Sequence, residues 1–115
     1  VEFDLAPPGT IGLETALAVV LTDLVATGGL DLVRAIEALS TRPARIMGAV
    51  GHGGPIEPGA PANLVLIDPE ASWTVAAPFT SKSRNSAFLG RTLRGRVVAT
   101  FLRGEPIVLD GEARR

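Results

Sequence analysis

The apolar positions of this chain fall into two regimes with different periods. Leu13, Ala16, Leu17, Val20, Leu21, Leu24 and Val25 recur at i, i+3, i+4, i+7, i+8, i+11 and i+12. This spacing predicts an amphipathic helix of about three to four turns with one wide apolar stripe. Gly28-Gly29 stops it, with Gly28 in the left-handed position that closes many helices. Asp31 is placed to cap a second helix, with Leu32, Val33, Ile36 and Leu39 turned inward. Ser40 or Thr41 then caps a short third helix. That helix has Pro43 in its first turn, Ala44, Ile46 and Met47 as its apolar residues, and Gly48 at its end.

After Gly48 the period becomes that of strands. Glu57-Pro58-Gly59 suits a tight turn, because Pro58 presets φ and Gly59 accepts a positive one. Leu64 to Ile67 is a continuous apolar run, the pattern of a strand covered on both faces. Asp68-Pro69 is expected to end it, since proline cannot donate to a ladder. Trp73–Val75 is a candidate second strand, Val97 to Leu102 reads as a third and Ile107 to Leu109 as a fourth. Arg103-Gly104 suits a tight hairpin between the last two. Ala76 to Leu93 is long and poorly patterned, and such a loop is usually functional or held from outside its domain. Four short strands leave two edges and an apolar face in need of a partner, and the first helix has the same need. That mismatch fits a slice of a larger protein. The opening Val1-Glu2-Phe3-Asp4 does not read as the start of an independent fold either.

Composition narrows the function classes. With 115 residues, 46% of them hydrophobic, the chain has room for one small globular domain. A net charge of −1 provides no basic field for nucleic acid or anionic lipid, and Arg91, Arg94 and Arg96 read as a solvated edge. The absence of cysteine excludes a disulfide scaffold, a cysteine nucleophile and a thiolate zinc site. The longest apolar stretch, Ala16 to Leu21, is too short to span a bilayer, and no basic segment precedes it. The expectation is therefore a cytoplasmic protein.

Few residues carry chemistry on their own. His52, in Gly51-His52-Gly53-Gly54, is the single histidine, and one ligand cannot make a zinc site, so it reads as an exposed loop residue. Those glycines are not a phosphate cradle, because Ile56 stands where a third glycine is needed and no lysine follows. Ser81, Ser83 and Ser86 have no histidine partner in register for a triad. Trp73 and Phe79 read as core or interface. Glu14 either answers the helix dipole or hydrogen-bonds a neighbouring loop. The sharper signal is the turn Ala6-Pro7-Pro8-Gly9-Thr10-Ile11-Gly12, which opens the first helix. Backbone N–H groups at such a turn suit an anionic or carbonyl-bearing ligand.

Three ordered blocks resemble known families. Gly54 to Asp68 fits G-x-I-x-x-G-x-x-A-[DN]-L-V-x-x-D, similar to the signature where amidohydrolases leave their catalytic barrel and enter a small β-sandwich. Ala6 to Leu17 resembles the A-P-x-G-x-x-G-L-E-T-A-L segment of dihydroorotases. Ser81-Lys82-Ser83-Arg84-Asn85-Ser86-Ala87-Phe88, with Gly90 and Leu93-x-Gly95-x-Val97-x-x-Thr100 after it, resembles their S-K-S-x-N-T-P-F…L-x-G-x-V-x-x-T run. Thr41-Arg42-Pro43-Ala44 fits the family's N-P-A-like helix start, and Arg103-Gly104 and Asp110-Gly111 its closing hairpin. Asn63 stands for the commoner aspartate, and Ser86-Ala87 for Thr-Pro.

The resemblance implies an α/β fold, a C-terminal slice of a (β/α)8 amidohydrolase barrel plus C-terminal strands of its sandwich. Residues 1–50 would be the last barrel helices and residues 51–115 the sandwich strands. It implies the reversible hydrolysis of dihydroorotate to carbamoyl aspartate, with binuclear zinc activating water and an aspartate moving the proton. The family's H-x-H pair, lysine, further histidines and D-H-A-P-H motif have no counterpart here, so catalytic and metal residues are expected elsewhere and this stretch alone is expected to be inactive. Pro8 and Gly9 match the pair whose backbone contacts substrate in the family. Pro8 replaces a phenylalanine and has no N–H, which leaves Gly9 as the better contact. The implied partners are the rest of the barrel and the substrate, with a second copy or aspartate carbamoyltransferase as further candidates. Allantoinase or hydantoinase chemistry, or a non-catalytic dihydroorotase-like partner, is the alternative.

Overall fold

The computed structural model describes residues 2, 5 and 9–114. The first helix, α1 (Ala16–Val20), runs without a break into a π-helical turn, Leu21–Val25. It ends where the sequence places its stop, with Gly28 at φ +76°. Asp31 caps α2 (Leu32–Ile36) as expected, its Oδ1 accepting the Arg34 N–H at 2.9 Å. The third helix is not separately capped. A π turn at Glu37–Thr41 joins α2 directly to α3 (Arg42–Met47), and Thr41 is itself helical with no side-chain cap bond. Pro43 brings no N–H and crowds the preceding turn, and the wider π coil just before it absorbs both effects. Gly48, at φ +63°, then closes α3.

The strands form one antiparallel sheet in the order β1-β2-β3-β4, namely Leu64–Thr74, Thr92–Leu102, Glu105–Leu109 and Glu112–Ala113. The turn ahead of it is as read, with Gly59 at φ +88° and the Ala60 N–H reaching the Glu57 carbonyl at 3.2 Å. Both short hairpins follow their sequence signals. Arg103 and Gly104 have φ of +53° and +87°, and Asp110 and Gly111 have +54° and +77°. Positive φ at both central residues matches the right-handed twist of the strands they join.

Three strand expectations differ from the structure. β1 does not end at Asp68-Pro69, and Trp73 is not on a separate strand. Asp68 pairs with Arg96 and Ser72 with Arg94, so Pro69, Glu70 and Ala71 bulge out opposite Gly95 alone. The Asp68 carboxylate ties the bulge by accepting the Glu70 and Ala71 N–H groups at 2.9 and 3.2 Å. A bulge removes the proline from the ladder, which is how the strand continues past it. Nor is the run Leu64–Ile67 covered on both faces by this chain: Val65 and Leu66 are exposed.

Helix and sheet meet at Gly95. It sits at φ +93°, and a Cβ there would lie 2.3 Å from Leu21 Cδ1, so only glycine lets α1 come this close. The Trp73 indole donates to the Gly95 carbonyl at 2.9 Å. The Thr22 hydroxyl donates to the Ala18 carbonyl and accepts the Arg94 N–H at 2.8 Å, joining helix to strand. Ala18, Val75 and Leu93 are the buried centre, with Val19, Trp73, Phe79 and Phe88 packed around them, as expected for Trp73 and Phe79. Asp23 and Arg91 close the rim in a two-pronged ion pair at 2.7 and 3.1 Å. The fold is thus α/β, two helical stretches, each with a π turn, followed by an antiparallel sheet. Among the described residues no helix is long and apolar enough to cross a membrane.

Candidate functional site: the Gly9–Glu14 turn and its strap

The turn that opens α1 has no regular structure of its own to hold it. Gly9 lies at φ +70°, and the buried Thr15 hydroxyl bonds the Gly12 carbonyl at 3.2 Å to begin the helix. What fixes the turn comes from far along the chain. The Asn85 side-chain amide donates to the Gly9 carbonyl. The Asn85 backbone carbonyl accepts the Ile11 N–H at 2.8 Å and the Thr10 hydroxyl at 3.0 Å. The Thr10 oxygen in turn accepts the Ala87 N–H at 3.0 Å.

Glu14 anchors the other end of the same strap. Its two carboxylate oxygens accept the Thr80 and Ser81 N–H groups, each at 2.9 Å. Of the two readings of Glu14, the structure shows the loop contact. The Thr80 N–H, then that of Ser81, holds its carboxyl below the ordinary range, because both bonds favour the charged form. The serines shape the strap. Ser81 Oγ accepts the Ser83 N–H and Ser86 Oγ accepts the Phe88 N–H, at 3.3 and 3.2 Å. The segment after Val75, unpatterned in sequence, is therefore organised by polar contacts to the turn.

Gly9 thus stands in a braced turn, with no described atom within 4 Å of where a Cβ would project. Pro8 lies outside the described residues. Sequence reasoning did not single out Thr10 or Asn85 as bracing residues. The signal was available only as an asparagine inside a serine-rich loop, and such loops favour local bonds over distant ones. His52 lies in an open depression with Thr41, Arg45, Val50 and Pro55. Gly53 nearby packs so closely on the helices that a Cβ would meet Ala44 Cβ at 2.8 Å. Among the described residues no three His, Cys, Asp or Glu side chains gather as a metal site, so these residues do not fit a zinc pair.

With this geometry in hand, kinship is informative. A family model described as "Amidohydrolase family" matches residues 5–107. The chain belongs to the amidohydrolase family. Within it, the chain is 46% identical over 112 residues to a dihydroorotase of Streptomyces coelicolor, covering 96% of this chain and 26% of that one. A dihydroorotase of Leifsonia xyli is 49% identical over 111 residues, with 96% and 25% covered. Among solved structures, L-hydantoinase (dihydropyrimidinase) from Arthrobacter aurescens superposes with a TM-score of 0.85 at 33% identity, covering 96% of this chain and 25% of that one. The chain therefore spans about a quarter of the length of the curated relatives it matches.

Proposed function

We propose that this chain is part of a dihydroorotase, in which it supplies the Gly9 turn to the substrate and the sheet that steadies it. One observation carries the reading. The segments that look most like dihydroorotase in sequence meet in space, through Glu14 on Thr80 and Ser81 and through Asn85 on Gly9. The identity of 44–49% to proteins named dihydroorotase supports it. Residues 1–50 are read as the last helices of the catalytic barrel and residues 51–115 as strands of the accompanying sandwich. The remaining partner surface is the rest of that barrel. Zinc, which the reading implies, would be held by residues outside this chain.

Gly9 is the substrate contact in this reading. No described atom lies within 4 Å of where a Gly9 Cβ would project, which leaves that side of its backbone open to a ligand, and Pro8 has no N–H to offer beside it. The reading is tested on the complete protein. It should interconvert dihydroorotate and carbamoyl aspartate and prefer them to hydantoin and allantoin, while residues 1–115 alone show no turnover. Gly9→Val should raise KM for dihydroorotate and leave metal content unchanged. A complete protein that opens hydantoin and ignores dihydroorotate would replace this reading with the hydantoinase one.

A further inference from the structure

A glycine is a poor way to hold a peptide group still. It populates both signs of φ, so a glycine that presents its backbone to a ligand needs restraint from outside. Here Asn85 supplies it. The planar peptide means that holding the Gly9 carbonyl also fixes where the Thr10 N–H points, to the opposite side. The Asn85 backbone carbonyl adds two further ties, to the Ile11 N–H at 2.8 Å and the Thr10 hydroxyl at 3.0 Å. One residue thus donates to one end of the turn and accepts from its next two residues.

We infer that Asn85 is the positioning residue of the substrate turn, setting the Gly9 peptide in its binding orientation without touching the substrate. This rests on the reading that Gly9 contacts substrate. The side-chain amide is essential to the role. An aspartate has the same shape but no donor, and it would set a negative charge against the Gly9 carbonyl. Glu14 secures the strap that carries Asn85, so the sheet side of the chain is coupled to the turn at two points.

The test uses Asn85→Asp and Asn85→Ala in the complete protein, with Asp23→Asn as a control. Asp23→Asn removes the charge that pairs with Arg91 at the opposite end of the segment, away from the turn. Both Asn85 variants should raise KM for dihydroorotate about tenfold with kcat within about twofold, since binding geometry rather than chemistry is lost. Asp23→Asn should lower Tm and leave KM unchanged. Amide exchange supplies a readout independent of turnover: Asn85→Asp should strip protection from Ile11 while Leu93 keeps its own. An active protein whose KM is indifferent to Asn85 overturns the inference. If the protein does not act on dihydroorotate, the functional reading fails, and the exchange data decide the positioning role: unchanged protection of Ile11 overturns it, and selective loss sustains it.

Discussion

The two helical stretches of this chain share a sequence style and meet different fates. In the first, Ala18 and Leu21 are buried against the sheet and Thr22 bonds across to Arg94. In the second, only Ala35 is buried, while Val33, Ile46 and Met47 stand largely exposed. Hydrophobicity is part of the difference, with eight of ten residues apolar in Ala16–Val25 against nine of sixteen in Leu32–Met47. The rest lies in the facing surface: the first stretch packs on β2 at a glycine that admits it, whereas the second makes its main contacts with other helical turns. Close packing depends on shape at the contact, and an apolar stripe without a complementary surface stays open.

The largest expected effect strikes the closed side of this contrast. Gly95→Ala combines a positive-φ penalty with a Cβ driven into Leu21, itself only 3% exposed. Together these should cost about 3 kcal/mol, read as a shift in the urea midpoint of the protein. A loss below about 0.5 kcal/mol would mean that α1 does not rest on Gly95.

The open side should respond in the opposite sense. Ile46→Lys with Met47→Lys should change folding stability by no more than about 0.5 kcal/mol, since both sites are exposed. Self-association of residues 1–115 in sedimentation should fall. Association that is indifferent to these substitutions would place the sticky surface elsewhere, on β1 at Val65 and Leu66.

The smallest effect concerns the strap. The Glu14 carboxyl is held low in the folded state, so the unfolded chain binds more protons at mildly acid pH. Its contribution is complete above the ordinary glutamate range of about 4.3 and is lost as pH falls through the lower folded value. Asp23, held low by Arg91, acts in the same direction. The difference between wild type and Glu14→Gln across about pH 3–6 isolates the Glu14 share. A flat difference would show that the strap does not depend on that charge.

Legibility in the sequence followed the range of the interactions. Gly28, Asp31, Gly48 and Arg103-Gly104 act within a few residues, and local chemistry placed each of them. The Asp68-Pro69 stop failed because a bulge, paid for by side-chain bonds and a glycine on the next strand, lets the ladder resume. The join of α2 to α3 failed because a π turn leaves no mark in the apolar spacing. At the candidate site, Gly9 was legible as a turn glycine and through the family resemblance. Its brace was not, because Asn85 lies 76 positions away. Asn63 shows the same limit. Its amide reaches the Gly51 carbonyl and its oxygen accepts the Arg103 N–H, both at 2.8 Å, so the asparagine ties together loops that an aspartate could only half hold.

The indole at the bulge has a practical consequence. The chain has one tryptophan and no tyrosine, so emission excited beyond the phenylalanine band arises from a single place. That ring sits beside the buried Ala18, Val75 and Leu93, and its N–H is committed to Gly95. Undocking α1 would wet the ring and free the indole, moving the emission to longer wavelength even if the hairpins farther along survived. The molecule carries its own optical gauge of whether helix and sheet are joined.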